Sequence, residues 1–274
     1  MATDGTASRP TRPVVVAVNA AGRCADTLEM AALLAAAQGV ELEVVYVEDA
    51  NLLRLADLPV SREIDRISGA IRRIDNRGMM RALEMEARRL RQEIARIERV
   101  RAVRSTLRIA RGEILAEAFS ASERVDVTFV HAASRALPGE HSPAYGQVPA
   151  SAEIMGGTPG GASRKRVWSV FEGGPEGARA LATAEKIANA LGCGLMVLIG
   201  EGDAESLARE ARARVGEVEI RFLERAGNRP ALEARTFEPR SSRLLVVSRR
   251  SPSLADAATR RHLESLRVPL LIVA

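Results

Sequence analysis

VVVAVNAAGRCADTLEMAALLAAAQGVELEVVYVED, residues Val14 to Asp49, decides how this chain is read, because the pattern occurs twice. Laid without a gap on Val167 to Gly202, at a constant offset of 153 residues, it matches in kind and often in identity. Ala25/Ala178, Leu28/Leu181, Ala31/Ala184, Ala35/Ala188, Ala37/Ala190, Gly39/Gly192, Leu42/Leu195, Val44/Val197 and Glu48/Glu201 are the same residue in both copies. Self-similarity over a fixed offset marks a repeated structural unit.

The physics of each copy is that of a strand, a helix and a second strand. Val14-Val15-Val16-Ala17-Val18 is almost continuously β-branched, as a strand buried on both faces requires. Leu28, Ala31, Leu34 and Ala35 recur at helical spacing, as do Leu181, Ala184, Ile187, Ala188 and Leu191. Gly39 and Gly192 stand where a helix end favours a left-handed residue. Leu42 to Val47 and Leu195 to Ile199 return as strands, and a crossover of this length implies parallel, right-handed pairing.

Outward from the repeat, the second copy continues as a complete fold. Ala204 to Val215 reads as helix, Val218 to Leu223 as strand, Pro230 to Thr236 as a short helix and Leu244 to Val247 as strand. Leu254 to Leu266 then reads as helix and Pro269 to Val273 as the closing strand. In the first copy, Leu107 to Ala110, Gly112 to Ser120 and Val125 to Val130 supply a strand, a helix and a strand. The expectation is an α/β protein of two Rossmann-like units, each a mostly parallel sheet of about five strands flanked by helices.

Two irregularities break the symmetry. The first copy carries about 38 extra residues before Gly112, judged against Gly227 in the second. Within them Ile64, Ile67, Ile71 and Ile74, then Leu83, Ala87, Leu90, Ile94 and Ile97, follow three-four spacing, which predicts two helices broken near Asn76-Arg77-Gly78. Their apolar stripes either pack inward or form a partner-binding or dimer arm around Ile64 to Ile97. After Val130 the first copy shows no clear last helix or strand; residues 132–165 are rich in Gly, Pro, Ser and Ala and read as a flexible linker. The units are therefore bounded at 13–131, with inserted helices at about 60–98, and at 166–274. A fifth strand for the first unit has to come from elsewhere, or its edge stays open.

Composition narrows the function classes. No apolar run approaches the roughly 20 residues that span a bilayer, and residues 1–13 are polar, so a soluble cytoplasmic protein is expected. Cys24 and Cys193 make no disulfide framework or metal signature. Only three histidines are present, which argues against a His-rich metal site. The pI of 9.9 invites a nucleic-acid reading. Against it, arginines alternate with acids, as Arg88, Arg89 and Arg91 do with Glu84, Glu86 and Glu93, which marks a solvated face. Aromatics for base stacking are scarce at 3%. Nucleic acid is thus not the expected partner.

Ligands of open α/β sheets bind beyond the carboxyl ends of the strands. In the second copy that edge gathers Glu172, Gly173, Gly174, Ser248, Arg249, Arg250 and Ser251. The Gly173-Gly174-Pro175 turn leads into a helix N-terminus that suits an anion, and two arginines offer charge-assisted contacts. The alternative is a structural turn beside solvated arginines. In the first copy the edge gathers Asn19, Arg23, Gly112, His131 and Ser134, with His131 as either a ligand contact or a structural residue. No acid, base and nucleophile set presents itself, so catalysis is not expected. Neither Gly173-Gly174-Pro175 nor Gly156-Gly157-Thr158-Pro159-Gly160 ends in the Gly-Lys-Ser/Thr of a P-loop.

Several stretches resemble the universal stress protein family in tandem form. Val14-Val15-Val16-Ala17-Val18-Asn19 is similar to its first strand, and Glu41 to Val47 to its second. Arg111-Gly112-Glu113-Ile114-Leu115-Ala116 resembles its entry to the third helix. Leu244 to Arg250 resembles the fourth strand and following loop, and Arg267-Val268-Pro269-Leu270-Leu271-Ile272-Val273 the Pro-led last strand. The resemblance implies a stress-response role. ATP-binding members carry Gly-x2-Gly-x9-Gly-Ser/Thr after the fourth strand. Here Ala132-Ala133-Ser134-Arg135 and Ser248-Arg249-Arg250-Ser251 stand instead, and the family's first-strand Asp is Asn19 or Glu172. No cofactor is therefore expected in the family's usual pose, with ATP or AMP kept as an alternative. The reading is a non-catalytic binding or adaptor module, its units packed as a pseudo-dimer or homodimer. The alternatives are a nucleotide or anion sensor at Ser248 to Ser251, or a small hydrolase-type enzyme.

Overall fold

A computed structural model describes residues 12–19, 24–58, 62–64, 69, 71–73, 76–131, 165–199, 203–222, 242–255, 259–260, 263 and 268–274. The linker read at 132–165 and the helix read at 230–236 lie almost wholly or wholly outside these residues, as do Arg23 and Ser134.

The repeat folds as its pattern dictates. β1 (Val14–Asn19), α1 (Ala25–Gln38) and β2 (Leu42–Asp49) form the first crossover, and β7 (Arg166–Phe171), α5 (Gly174–Ala190) and β8 (Leu195–Ile199) the second. β1 pairs β2 in parallel with Val14 beside Leu42, and β7 pairs β8 in parallel with Val167 beside Leu195. These are the same positions at the same offset. Gly39 ends α1 at φ 64° and bonds back to the carbonyls of Ala35 and Ala36, while Gly192 follows α5 at φ 59°.

β5 (Ser105–Gly112), α4 (Ile114–Ser122) and β6 (Val127–His131) complete the first half. The second half continues through α6 (Ala204–Val215), β9 (Glu219–Phe222), β10 (Ser242–Ser248), α7 (Pro252–Ala255) and β11 (Leu270–Val273). The strands form one nine-stranded sheet in the order β5-β2-β1-β6-β11-β10-β7-β8-β9. Every neighbouring pair is parallel except one. β11 runs antiparallel to β6, with Leu270 beside Val130, Leu271 beside Phe129, Ile272 beside Thr128 and Val273 beside Val127. The strand that the first half needs beside β6 is therefore the last strand of the second half. A four-stranded and a five-stranded parallel array meet at this seam. Ala274 extends it by donating from its backbone N to the Asp126 carbonyl at 3.0 Å.

Both faces of the sheet are buried, as continuous apolar strands require. Val14, Val16 and Val18 pack with Val167, Val246 and Leu271 under α1, α3 (Asn76–Arg101) and α5. Val15, Ala17, Val45 and Val130 pack with Trp168, Leu245 and Ile272 on the opposite face, against α4 and Leu254. Apolar residues from both halves share each of these two clusters, so the seam runs through the core.

The insertion departs from the two helices that its spacing predicts. α2 (Ala50–Asp57) follows β2 directly, its N-terminus capped by the Asp49 carboxylate, which accepts from the Asn51 backbone N at 2.8 Å. The stretch with Ile64 and Ile71 is a hairpin: β3 (Arg62–Ile64) pairs antiparallel with β4 (Ile71–Arg73), placing Ile64 beside Ile71. Isoleucine is β-branched and favours strands, and Gly69 at φ 69° supplies a left-handed residue between them; both outweigh the three-four spacing.

α3 does form, and its stripe faces inward. Leu83, Ala87, Leu90, Ile94 and Ile97 are all buried against α1 and the sheet, the four leucines and isoleucines each worth about 2 kcal/mol of burial. These residues are core, so they form no partner arm. Glu29 of α1 fastens the contact by accepting from Arg96 Nη2 at 2.6 Å and Arg101 Nε at 3.1 Å. Burial pushes the Glu29 carboxyl up, but the two guanidiniums outweigh it and hold the carboxyl below its ordinary value.

Candidate functional site

The antiparallel seam separates the candidate residues into two groups. The carboxyl ends of β5, β2, β1 and β6 lie along one edge of the sheet, and those of the other five strands along the opposite edge.

On the first edge, Asn19 ends β1 and His131 ends β6, its backbone beside Val18. Gly112 ends β5 beside Asp49. Three strand spacings separate β5 from β6, about 14 Å, so Gly112 and His131 do not share one contact shell. His131 is instead engaged by a residue that sequence inspection passes over. Thr27, fully buried in the first turn of α1, places Oγ1 2.9 Å from His131 Nδ1. Burial pushes the imidazole pKa down, with Asp26 opposing the shift. His131 is thus held in a fixed orientation against α1.

Between these residues lies Glu48, nearly buried, whose carboxylate accepts from Arg111 Nε at 2.8 Å. Tyr46, two residues earlier, is buried with its hydroxyl lacking a hydrogen-bond partner, and its pKa is pushed up to about 12 by burial and by Glu48 and Glu86. Cys24, before α1, is raised to about 11 mainly by burial, so it is a protonated packing residue rather than a reactive thiolate. Further along, Asn76, Arg77, Met80, Arg81 and Arg111 line an open groove of about 580 Å³.

On the opposite edge the expected residues do come together. β10 lies beside β7, which brings Ser248 to Ser251 next to Glu172, Gly173 and Gly174. Gly173 has φ 78° and Gly174 φ 72°, a turn that only glycine adopts without strain. A Cβ on Gly173 would also sit 2.8 Å from Leu207 Cδ2. The arginines, however, are turned to structural partners. Arg249 donates from Nη1 to the Ser122 carbonyl of α4 at 3.0 Å. Arg250 lies 3.2 Å from Glu176 in the first turn of α5, and its backbone N donates to Ser248 Oγ at 3.3 Å. Each guanidinium is thus engaged by a protein group among the described residues. Ser251 is buried, and its Oγ has no hydrogen-bond partner.

The acceptor Ser122 and the acid Glu176 carry no sequence signal for these roles; only the seam and the β7–β10 pairing bring them near the loop. Among the described residues, no group of three or more His, Cys, Asp or Glu side chains could hold a metal ion, and no helix is long and apolar enough to cross a membrane.

No protein-family model and no curated protein matches the chain. Solved structures do. A universal stress protein from Archaeoglobus fulgidus DSM 4304 is similar over 96% of this chain and 96% of its own, at 12% identity and a TM-score of 0.47. A functionally unknown protein from Pseudomonas aeruginosa PAO1 matches 96% of this chain and 92% of its own, at 13% identity and a TM-score of 0.45. A putative universal stress protein from Pseudomonas aeruginosa UCBPP-PA14 matches 96% and 93%, at 14% identity and a TM-score of 0.44.

Proposed function

We propose that this chain is a universal-stress-type protein that works by association rather than catalysis, its two halves acting as a built-in pseudo-dimer. One observation carries the reading: β6 and β11 pair antiparallel in the middle of a single sheet, so each half closes the other's inner edge. A sheet edge that would otherwise recruit a second chain is satisfied within the molecule. The sequence resemblance supplies the stress role, and both halves lack the glycines with which ATP-binding members cradle phosphate.

Size-exclusion chromatography with light scattering tests the association state. A chain that stays a 29.5 kDa particle up to high micromolar concentration fits an internal pseudo-dimer, whereas an obligate homodimer does not. Mass spectrometry of small molecules released from natively purified protein tests the absence of a resident nucleotide.

A second reading, an anion or nucleotide sensor, draws on the buried and unpartnered Ser251 Oγ beside the glycine-led N-terminus of α5. Thermal shift with ATP, ADP, AMP and cyclic AMP separates the two. Stabilisation by a nucleotide that Ser251→Ala abolishes would favour the sensor over the adaptor.

A further inference from the structure

We propose that the outward face of α3 is a docking ridge for the phosphate backbone of a nucleic-acid duplex, bound without regard to sequence. Along the chain the arginines and acids of this segment alternate, which reads as a neutralised, solvated face. On the helix they separate. At about 100° per residue, Arg77, Arg81, Arg88, Arg91 and Arg99 fall within a stripe about 80° wide. All five are exposed. Three of the four acids of α3 lie outside the stripe and are already paired. Glu86 accepts from Arg89 at 2.8 Å, Glu93 from Arg96 at 2.7 Å, and Glu98 from Ser105 at 2.7 Å. Glu84 is the one acid left within the stripe.

None of the five arginines makes an ion pair among the described residues. Arg81 and Arg99 donate only to helix carbonyls, those of Arg77 and Ala95 at 3.3 and 3.1 Å. The face of α3 centred about 120° around the helix from this stripe is spent on the core through Leu83, Ala87, Leu90, Ile94 and Ile97, which holds the helix in place while the five arginines stay exposed. From Arg77 to Arg99 the ridge is about 33 Å long at 1.5 Å per residue. At one end the groove walled by Arg77, Arg81 and Arg111 widens it.

The occupant follows from these properties. The guanidinium fork matches phosphate oxygens bidentately. A helical array about as long as one turn of a duplex (roughly 34 Å) fits a linear polyanion of regular spacing. The scarcity of aromatics excludes base stacking and hence a single-strand platform, but backbone contact to a duplex needs none. A membrane is the poorer fit, because an interfacial helix buries an apolar face in lipid and α3 has already buried its own in the protein.

The test is binding of the whole chain to two unrelated 24-base-pair duplexes by fluorescence anisotropy across a salt series. Equal affinity for both is expected, with log K falling against log salt at a slope of about −4, the signature of four to five phosphate contacts. Replacing Arg77, Arg81, Arg88, Arg91 and Arg99 together by glutamine, a good helix former, is expected to weaken binding at least tenfold at 50 mM salt. A control variant changes Arg124, Arg179, Arg209, Arg212 and Arg260 to glutamine. It carries the same net charge and should retain binding within about threefold. Circular dichroism and thermal melting confirm that both variants fold. Absence of duplex binding at low salt, equal loss in ridge and control variants, or tighter binding to phosphatidylglycerol vesicles than to duplex would each overturn the proposal.

Discussion

Arg249 donates from Nη1 to the Ser122 carbonyl at 3.0 Å, tying the loop after β10 in one half to the last turn of α4 in the other. A guanidinium at a helix C-terminus meets both an orphan carbonyl and the negative end of the helix dipole. Arg249→Ala should therefore cost about 1–2 kcal/mol in urea unfolding, as expected for a partly buried hydrogen bond from a charged donor. Arg250→Ala removes an ion pair whose arginine side chain is 73% exposed, and should cost less than about 0.5 kcal/mol. Equal costs would mean that the contact across the seam contributes nothing.

The seam also predicts how the chain unfolds. Trp168 is the single tryptophan and is buried in the second half, so its fluorescence reports that half, while far-ultraviolet circular dichroism reports both. The two denaturation curves should coincide, because apolar residues of both halves share the same clusters. Separate midpoints would show the halves to be independent.

His131 makes stability depend on pH in a defined direction. Its folded pKa lies below the ordinary value of about 6.5, so near that pH the unfolded chain binds the proton more readily. Stability from this group is complete above about pH 6.5 and is lost as the pH falls from there through the folded pKa. His131→Gln should flatten that segment of the stability curve, measured by urea unfolding between pH 5 and 8. An unchanged slope would show that the buried imidazole is not its source.

α3 separates core from exposed surface within a few residues. Ile97→Ala removes a buried side chain and should cost about 2–4 kcal/mol. Val100→Ala, at a position 60% exposed, should change stability by less than about 0.5 kcal/mol in the same assay.

What the sequence disclosed and what it withheld follow one physical line. β1, α1, β2 and their counterparts were legible because strand runs, helical spacing and helix-ending glycines are local signals. β8 and α6 fall at the residues their patterns mark, Leu195–Ile199 and Ala204–Val215. The pairing of Val130 with Leu270 joins residues 140 positions apart, and no local pattern encodes it. The hairpin at Ile64 and Ile71 misled because isoleucines at three-four spacing serve either structure, and the left-handed Gly69 between them decides. At the site, glycine geometry at Gly173 and Gly174 was legible. The fate of Arg249 was not, since its acceptor comes from the other half. The same limit hid Thr27 as the partner of His131.

The shared strand has an evolutionary consequence. A duplicated gene can ordinarily be split again into two single-unit genes, each product folding alone. Here β11 closes its own array and also covers β6, so a cut between the halves leaves β6 as a bare edge strand of the first. Fission would expose the apolar seam in both products. The pairing therefore disfavours any separation of the two halves into independent chains.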